Sequence, residues 1–191
     1  MTTKQKKSNL VWMDLEMTGL DPEKCTILEV AVVITDNHLN VLEVGPAIAI
    51  RHPEKTLRSM EPWSKRHHKK SGLTDACRVS RMNLKKAETL VLKFVKKYCP
   101  PNTARLCGNS IWQDRRFIMK YMPRLDSYLH FRMIDTTAVK ELANRWYPAG
   151  YQLPGGKNQN HRAMNDILDS IKELKYYRSK IFIPSRKKKS K

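Results

Sequence analysis

The chain has 191 residues, 40% of them hydrophobic and 8% aromatic, proportions typical of a globular protein and not of a disordered one. No apolar stretch reaches membrane-spanning length, and residues 1–9 lack the apolar middle of a secretory signal, so we expect a cytoplasmic protein with no membrane partner. The 37 Lys and Arg residues against 18 Asp and Glu give a net charge of +19, which favours nucleic acid as a partner, although some proteomes run basic throughout.

The four cysteines are predicted to be reduced, mostly buried thiols. No two of them form a Cys-x-x-Cys pair, and no spacing of Cys and His is typical of a zinc site. The sequence therefore gives no indication of a disulfide framework or a structural metal, and it favours a reducing compartment.

Three strands are predicted in the first quarter of the chain, after a disordered N-terminus over residues 1–8. They are residues 9–16, 26–35 and 39–50, separated by turns at 18–22 and 36–38. The second strand is rich in β-branched residues, and the short turn after it makes an antiparallel second and third strand the simplest arrangement.

Helices and short strands alternate in the rest of the chain. We predict helices at 59–71, 83–98, 112–121, 136–146 and 161–182, short strands at 104–108 and 131–134, a loop at 147–160 and a basic tail at 184–191. The pattern indicates one α/β domain over residues 9–183 with a mixed sheet.

The first predicted strand carries two carboxylates two residues apart, Asp14 and Glu16. Side chains two apart in a strand point to the same face, so the two acids lie side by side at the end of an apolar run. Two adjacent buried acids repel each other unless a cation lies between them, and Mg²⁺ and Mn²⁺ prefer carboxylate oxygens. The alternative is a strand end at which both acids reach water.

Three later residues bear on that choice. Taken singly, Asp114 is most simply an acid favoured by a helix N-terminus, Asp166 a solvated helical acid, and His161 a cap or surface histidine. Taken with Asp14 and Glu16, they form a set that can bind two metal ions roughly 3.5–4 Å apart and assist phosphoryl hydrolysis. A histidine of near-neutral pKa is suited to deprotonate the attacking water.

Four motifs in order resemble the oligoribonucleases, a family in the DEDDh branch of DnaQ-like 3′→5′ exonucleases. They are residues 14–21 (DLEMTGLD), 107–117 (CGNSIWQDRRF), 120–123 (KYMP) and 161–166 (HRAMND). The resemblance runs from about residue 10 to 181, and it implies an RNase H-like mixed sheet with flanking helices. It also implies 3′→5′ hydrolysis of very short RNAs, dinucleotides especially, to 5′-mononucleotides.

The resemblance implies a role for each member of the acid and histidine set. Asp14, Glu16 and Asp166 would ligate the cation nearest the scissile phosphate. Asp14 would bridge to a second cation, which Asp114 would hold directly or through water, both ions being Mg²⁺ or Mn²⁺. His161, five residues before Asp166, would be the general base.

The resemblance also implies substrate contacts and a homodimer. Leu20 would wedge between the two bases. The positions near the terminal phosphate would be His68, Ser110 and Arg132. A pocket that caps the 5′ end would explain why only very short chains fit, and Phe131, reaching across from one subunit to the other, would complete this pocket.

Two positions depart from the family pattern. Trp112 stands where the family usually has Gly, so its indole either fills a groove beside the metal site or packs outward. Phe131 stands where the family often has Tyr, which keeps base stacking but loses a hydroxyl. The basic run at 65–70 and the basic tail are interpreted as solvated faces, with extra RNA attraction as the alternative.

Two other functions compete with the short-RNA exonuclease. A DNA-directed relative, such as a proofreading subunit, would prefer long substrates over dinucleotides. A catalytically dead RNA-binding module would need neither the acid set nor His161, so the presence of both disfavours it.

Overall fold

The structure, a computed structural model, describes residues 5–151, 153 and 162–183. Its centre is a five-stranded sheet in the order β3-β2-β1-β4-β5. The strands are β1 (Leu10–Met17), β2 (Ile27–Thr35), β3 (Val41–Ala49), β4 (Arg105–Gly108) and β5 (Met133–Asp135). β1 to β3 are antiparallel neighbours, whereas β4 and β5 run parallel to β1, which confirms the predicted mixed sheet.

Eight helices flank the sheet within the described part of the chain. They are α1 (Glu54–Arg58), α2 (Pro62–Lys70), α3 (Leu73–Val79), α4 (Leu84–Tyr98), α5 (Ile111–Tyr121), α6 (Pro123–Tyr128), α7 (Thr136–Trp146) and α8 (Ala163–Lys180). The helices of nine or more residues fall where the sequence predicts helices, and α7 has the predicted bounds.

Three short helices differ from the sequence prediction. Residues 54–58, 73–79 and 123–128 are helical, although no helix is predicted there. Pro123, two residues after the predicted helix 112–121, occupies the first turn of α6, where a missing N–H costs nothing. Helix α2 ends at Lys70, within the predicted helix 59–71, and Gly72, with φ of 75°, separates it from α3.

Strand β1 is buried on both faces and decides where the acid pair lies. Val11, Met13 and Leu15 pack in the core shared with α4 and α5. Leu10 and Trp12 pack on the other face against α8. Because side chains alternate along a strand, Asp14 and Glu16 continue the face of Leu10 and Trp12 and point toward α8.

The remaining structural predictions have mixed outcomes. All four cysteines are buried free thiols. The last short strand begins at Met133, so Phe131 precedes it and does not belong to it. Residues 5–8 lie beside the end of α4, where the Lys6 N–H donates to the Tyr98 carbonyl at 3.1 Å. Residues 1–4, most of the loop 147–160 and the tail 184–191 lie outside the described residues, and no described helix is long and apolar enough to cross a membrane.

Candidate active site

Three carboxylates from two elements converge at the end of β1. Asp14 and Glu16 come from β1, and Asp166 comes from the first turn of α8, which packs across the same face of the sheet. One oxygen from each lies within 4.8 Å of the others, close enough to share a cation. The structure thus brings together the three residues predicted to ligate the first metal ion.

The electrostatics of this cluster favour binding of a cation. Only 8% of Glu16 is exposed. Burial first, and then the nearby carboxylates of Asp166, Glu29 and Asp114, raise the pKa of Glu16 to about 8. A buried carboxyl among other carboxyls loses its proton readily only when a positive charge arrives. Hard oxygen donors at this spacing fit a divalent cation such as Mg²⁺ or Mn²⁺.

Asp114 is buried next to this cluster but has a structural contact of its own. It lies in the first turn of α5, is 6% exposed, and accepts a hydrogen bond from the Leu15 N–H at 2.9 Å. Burial raises its pKa, and it contributes to the raised pKa of Glu16. Asp114 therefore attaches α5 to β1 between the two acids, and its predicted role at the second metal ion stays a prediction.

A cavity of about 570 Å³ opens over the carboxylate cluster. Asp14, Glu16 and Asp166 line it, together with three residues that the family resemblance associates with substrate: Leu20, His68 and Ser110. Leu20 is 64% exposed and lies three residues after the end of β1, so its side chain is available to a ligand in the cavity. Once a divalent cation balances the acid cluster, a cavity with an exposed apolar side chain suits a small anionic substrate that carries flat rings.

His68 supports the acid strand. It is 1% exposed, and its Nε2 lies 2.9 Å from the Met17 carbonyl, to which it donates in the matching tautomer. Its Nδ1 is 3.7 Å from Oε2 of Glu16. The ring therefore links α2 to β1, and its predicted contact with the terminal phosphate stays a prediction.

Ser110 occupies the turn between β4 and α5. Its backbone is left-handed, with φ of 49°, a conformation that a residue with a side chain rarely adopts. The turn is held from β5 and α7, because the Ser110 N–H donates to Asp135 Oδ1 at 2.9 Å and to Thr137 Oγ1 at 3.0 Å. Strain of this kind is typical of functional positions.

The other predicted site residues lie elsewhere or outside the described part of the chain. Phe131 is 74% exposed and stacks on His130, and the Arg132 guanidinium is 5.2 Å from the Phe131 ring centre. Neither residue is among the described residues that line the cavity of the same chain. His161 lies outside the described residues, and its neighbour Arg162 is the first described residue after that gap.

The structure adds cavity residues that the sequence did not single out. Trp63 in the first turn of α2 lines the cavity, is 51% exposed, and stacks on His67 with ring centres 3.8 Å apart. Thr137 also lines the cavity, and its Oγ1 accepts a hydrogen bond from the Ser110 hydroxyl at 3.2 Å. Neither residue belongs to a motif that contains Asp14, so no local sequence pattern identifies them. The one available signal is that Trp63 is a large aromatic residue on a basic helix.

The open question about Trp112 is answered by its surroundings. Its side chain is 53% exposed, and the Arg116 guanidinium lies 5.8 Å from its ring centre. It is not one of the described residues lining the cavity, so it packs outward. The basic run on α2 is also exposed at Lys65, Arg66, Lys69 and Lys70, in keeping with a solvated face.

Known proteins are similar to this chain in sequence and in fold. A family model described as an exonuclease, RNase_T, matches residues 11–174. A Drosophila melanogaster protein named probable oligoribonuclease is 50% identical over 92% of this chain and 83% of its own length. Oligoribonuclease from Dichelobacter nodosus is 48% identical over 93% and 97%. A human protein named mitochondrial oligoribonuclease is 50% identical over 91% and 73%.

Solved exonuclease structures share the fold at low sequence identity. Exonuclease I without ligand has a TM-score of 0.70 at 16% identity, covering 92% of this chain and 43% of that one. Exonuclease I from E. coli in complex with a dT13 oligonucleotide has a TM-score of 0.71 at 16% identity, covering 91% and 41%. This chain thus spans about two fifths of their length, and the likeness confirms the RNase H-like exonuclease fold.

Proposed function

The chain is a nuclease that belongs to the oligoribonuclease family of exonucleases, and we propose that it is a 3′→5′ exoribonuclease that hydrolyses very short RNAs, dinucleotides especially, to 5′-mononucleotides. The observation that carries the proposal is the convergence of three carboxylates in one cavity with an exposed apolar side chain, Leu20. The carboxylates suit phosphodiester chemistry, and Leu20 suits contact with bases. The net charge of +19 favours the anionic substrate.

The acid cluster would hold two divalent cations, Mg²⁺ or Mn²⁺. Asp14, Glu16 and Asp166 would hold the first and Asp14 would bridge to the second, which Asp114 would hold directly or through water. When bound, such cations lower the pKa of the attacking water and offset the charge on the phosphoryl oxygens. The buried like charges around Glu16 support this assignment, because a cation relieves their repulsion.

His161 is the proposed general base, on the strength of its place in the His-x4-Asp motif with Asp166. In the proposed step, the water oxygen forms a bond to phosphorus as its proton passes to His161. The bond from phosphorus to O3′ of the preceding nucleotide then breaks, and that oxygen takes up a proton from solvent. The 3′-terminal nucleoside leaves with its phosphate as a 5′-mononucleotide.

Exposed side chains at the cavity support a proposal for where the two bases and the terminal phosphate would lie. We propose Leu20 as the wedge between the bases and Trp63 as a stacking surface, because both are more than half exposed at the cavity. We propose that Ser110 and His68, with Arg132, lie near the terminal phosphate. The Thr137 hydroxyl adds to this group through its contact with Ser110.

A homodimer would complete the site. Phe131 is 74% exposed and lies outside the cavity of its own chain, so it is free to reach the cavity of a partner subunit. Mixing Asp14→Ala chains with Phe131→Ala chains tests this directly. Each mixed dimer would contain one site with both residues intact, and random exchange would restore about a quarter of the wild-type activity. Chains that remain monomeric in sedimentation, or mixtures that stay inactive, would contradict the dimer.

Product analysis tests the proposed function. The substrates are a labelled dinucleotide, a labelled RNA of roughly 24 nucleotides and the matching DNA, each with Mg²⁺ or Mn²⁺ and each with chelator. We expect fast, metal-dependent conversion of the dinucleotide to mononucleotides and slow cleavage of the long chains. Faster cleavage of the long DNA would point to a proofreading enzyme, and tight binding without products would point to a binding module.

Cytoplasmic location is a proposal as well. Microscopy of the tagged chain or fractionation of its native cells would test it. A mitochondrial signal would replace the cytoplasmic assignment, and the human relative, which is named a mitochondrial oligoribonuclease, makes that outcome a concrete alternative.

A further inference from the structure

The loop that carries Leu20 is closed and short. Residues 18–26 connect β1 to β2, and we call them the Leu20 loop. At its base, the Thr18 N–H donates to the Thr26 carbonyl at 3.0 Å, and the Thr26 N–H donates to the Thr18 hydroxyl at 2.9 Å. Leu20 therefore projects from a loop whose two ends are fixed to the strands, four residues after Glu16.

Helix α5 holds the rest of this loop through side-chain donors. Three of its residues donate to loop carbonyls: Gln113 Nε2 to Leu20 at 2.5 Å, Lys120 Nζ to Pro22 at 2.7 Å, and Tyr121 Oη to Cys25 at 2.6 Å. The Tyr121 hydroxyl is also 3.1 Å from the Pro22 carbonyl. The donors are spaced along the helix, so they hold the loop at its tip and at its far end.

The same helix is attached to the strand that carries the acid pair. Asp114, next to Gln113, accepts the hydrogen bond from the Leu15 N–H. Leu15 lies between Asp14 and Glu16, so the backbone of the acid pair and the backbone of Leu20 are both bound to one turn of α5. Movement of Leu20 relative to the carboxylates then requires breaking a contact with the helix.

We propose that Gln113 and Tyr121 are positioning residues that hold Leu20 at a fixed place relative to the metal-binding carboxylates and so determine the preference for a two-base substrate. The proposal rests on the proposed role of Leu20 as the wedge between bases. Productive geometry for a phosphoryl transfer is tight, and small displacements of a substrate lower the rate strongly. A wedge on an unsupported loop would let the bases shift and carry the scissile phosphate away from the acids.

Tyr121→Phe is the variant of choice because it removes only a hydroxyl. Gln113→Leu is the second variant, although it also removes the contact between Gln113 Oε1 and Arg116. Tyr128→Phe is a matched control, since the Tyr128 hydroxyl donates to the Cys99 carbonyl at 2.8 Å, another bond from a tyrosine to a backbone carbonyl. Tyr128 is not among the described residues lining the cavity.

Two substrates separate wedge effects from effects on chemistry. A dinucleotide has a base on each side of the scissile phosphate, whereas the p-nitrophenyl ester of a nucleoside 5′-monophosphate has one base and still requires hydrolysis of a phosphodiester. We expect Tyr121→Phe to lower kcat/KM about fivefold to tenfold for the dinucleotide and less than about twofold for the ester. Tyr128→Phe should leave the ratio of the dinucleotide kcat/KM to the ester kcat/KM unchanged.

The Leu20→Ala background makes the test specific. If Tyr121 acts through Leu20, Leu20→Ala lowers the same ratio, and adding Tyr121→Phe lowers it no further. Equal losses on both substrates, or a full further loss in the Leu20→Ala background, would overturn the proposal. If wild type hydrolyses the dinucleotide but Leu20→Ala leaves the ratio of dinucleotide to ester kcat/KM unchanged, the positioning proposal is also overturned. The nuclease assignment would then still stand. A wild-type chain inactive on the dinucleotide would instead reject the proposed function before any variant is made.

Discussion

Two glutamates face each other across the β1–β2 pair and have opposite surroundings. Glu16 and Glu29 are register partners, and both are nearly buried, at 8% and 1% exposure. Glu29 accepts from the Arg162 guanidinium, with the shortest contact 2.6 Å, and from the Ala163 N–H at 3.2 Å. Glu16 instead has the carboxylates of Asp14 and Asp166 within 4.8 Å.

The difference shows that burial of an acid does not identify its role, whereas the source of its compensating charge does. The charge of Glu29 is balanced from within the chain, by a residue that fixes the start of α8 to β2. Burial first, and then the neighbouring negative charges, raise the pKa of Glu16, and the charge of Arg162 only partly opposes them, so a cation from outside would relieve the remaining repulsion. The first arrangement stabilises the fold, whereas the second fits a divalent cation and the catalytic role proposed for the cluster.

The largest expected effect comes from removing an acid of the cluster. Asp14→Ala and Glu16→Gln should each lower dinucleotide hydrolysis about a thousandfold or more, because cation binding supplies several kcal/mol of transition-state stabilisation. Metal-free Glu16→Gln should be at least as stable as wild type, because Gln is neutral at every pH, whereas the Glu16 carboxyl is either ionised among like charges or holds a proton above its usual pKa. Steady-state kinetics and urea unfolding in chelator measure the two quantities.

Asp169→Asn is the control for this prediction. Asp169 lies on α8 close to Asp166, but it pairs with Lys172 at 3.0 Å and is not in the cluster. The Asp169→Asn variant should retain nearly full activity. Activity that survives Asp14→Ala would contradict the metal mechanism.

The next effect in size concerns His161, the neighbour of the residue that pairs with Glu29. His161→Ala should lower the rate by about 10²–10⁴ if it is the general base. Binding of Mn²⁺, followed by calorimetry, should be preserved, because the carboxylates remain. A loss of metal affinity as large as that of Asp14→Ala would assign His161 a ligand role. His38→Ala, on the exposed turn before β3, serves as the histidine control.

Glu29 should behave in the opposite way to Glu16. Glu29→Gln weakens the pair with Arg162 and should lower the free energy of unfolding by about 2 kcal/mol, the usual worth of hydrogen bonds to a charged group. Arg162 keeps some access to water, since 38% of its side chain is exposed, which limits the loss. Urea unfolding in chelator measures it. A Glu29→Gln protein as stable as wild type would mean that the pair does not stabilise the start of α8.

Much of the fold and part of the site could be predicted from local pattern. The apolar runs of β1 and β2 and the helical spacing of α4 predict their elements because each is long enough to show its period. Helices of five to seven residues, such as α1 and α3, contain too few turns to show one. The shared face of Asp14 and Glu16 follows from strand alternation alone.

The rest of the site depends on long-range packing. Glu29 lies in the middle of a β-branched run, and only the β1–β2 register places it opposite Glu16. Trp63 and Thr137 reach the cavity because α2 and α7 pack around the end of β1, which no local spacing encodes. The contacts between α5 and the Leu20 loop join residues more than ninety positions apart, beyond the reach of any motif.

The smallest effect expected is a pH dependence that separates the two glutamates. The pKa of Glu16 rises from 4.5 to about 8 in the folded metal-free chain, so between these values the folded state holds a proton that the unfolded state has lost. Stability contributed by this proton is complete below pH 4.5 and is lost as the pH rises through about 8. The slope is at most about 1.4 kcal/mol per pH unit.

Melting temperatures in chelator should therefore fall from pH 6 to pH 8.5 more steeply in wild type than in Glu16→Gln, which lacks the titrating group. Glu29→Gln should lower the whole curve and move the end of its slope to a lower pH, because the Glu29 charge is one cause of the raised pKa of Glu16. Mg²⁺ should raise the melting temperature of wild type more at pH 8 than at pH 6, because the cation binds the ionised carboxylate and displaces the proton. Equal slopes in wild type and Glu16→Gln would show that the carboxylate cluster is already ionised without metal, and that its charge is balanced from within the chain as that of Glu29 is.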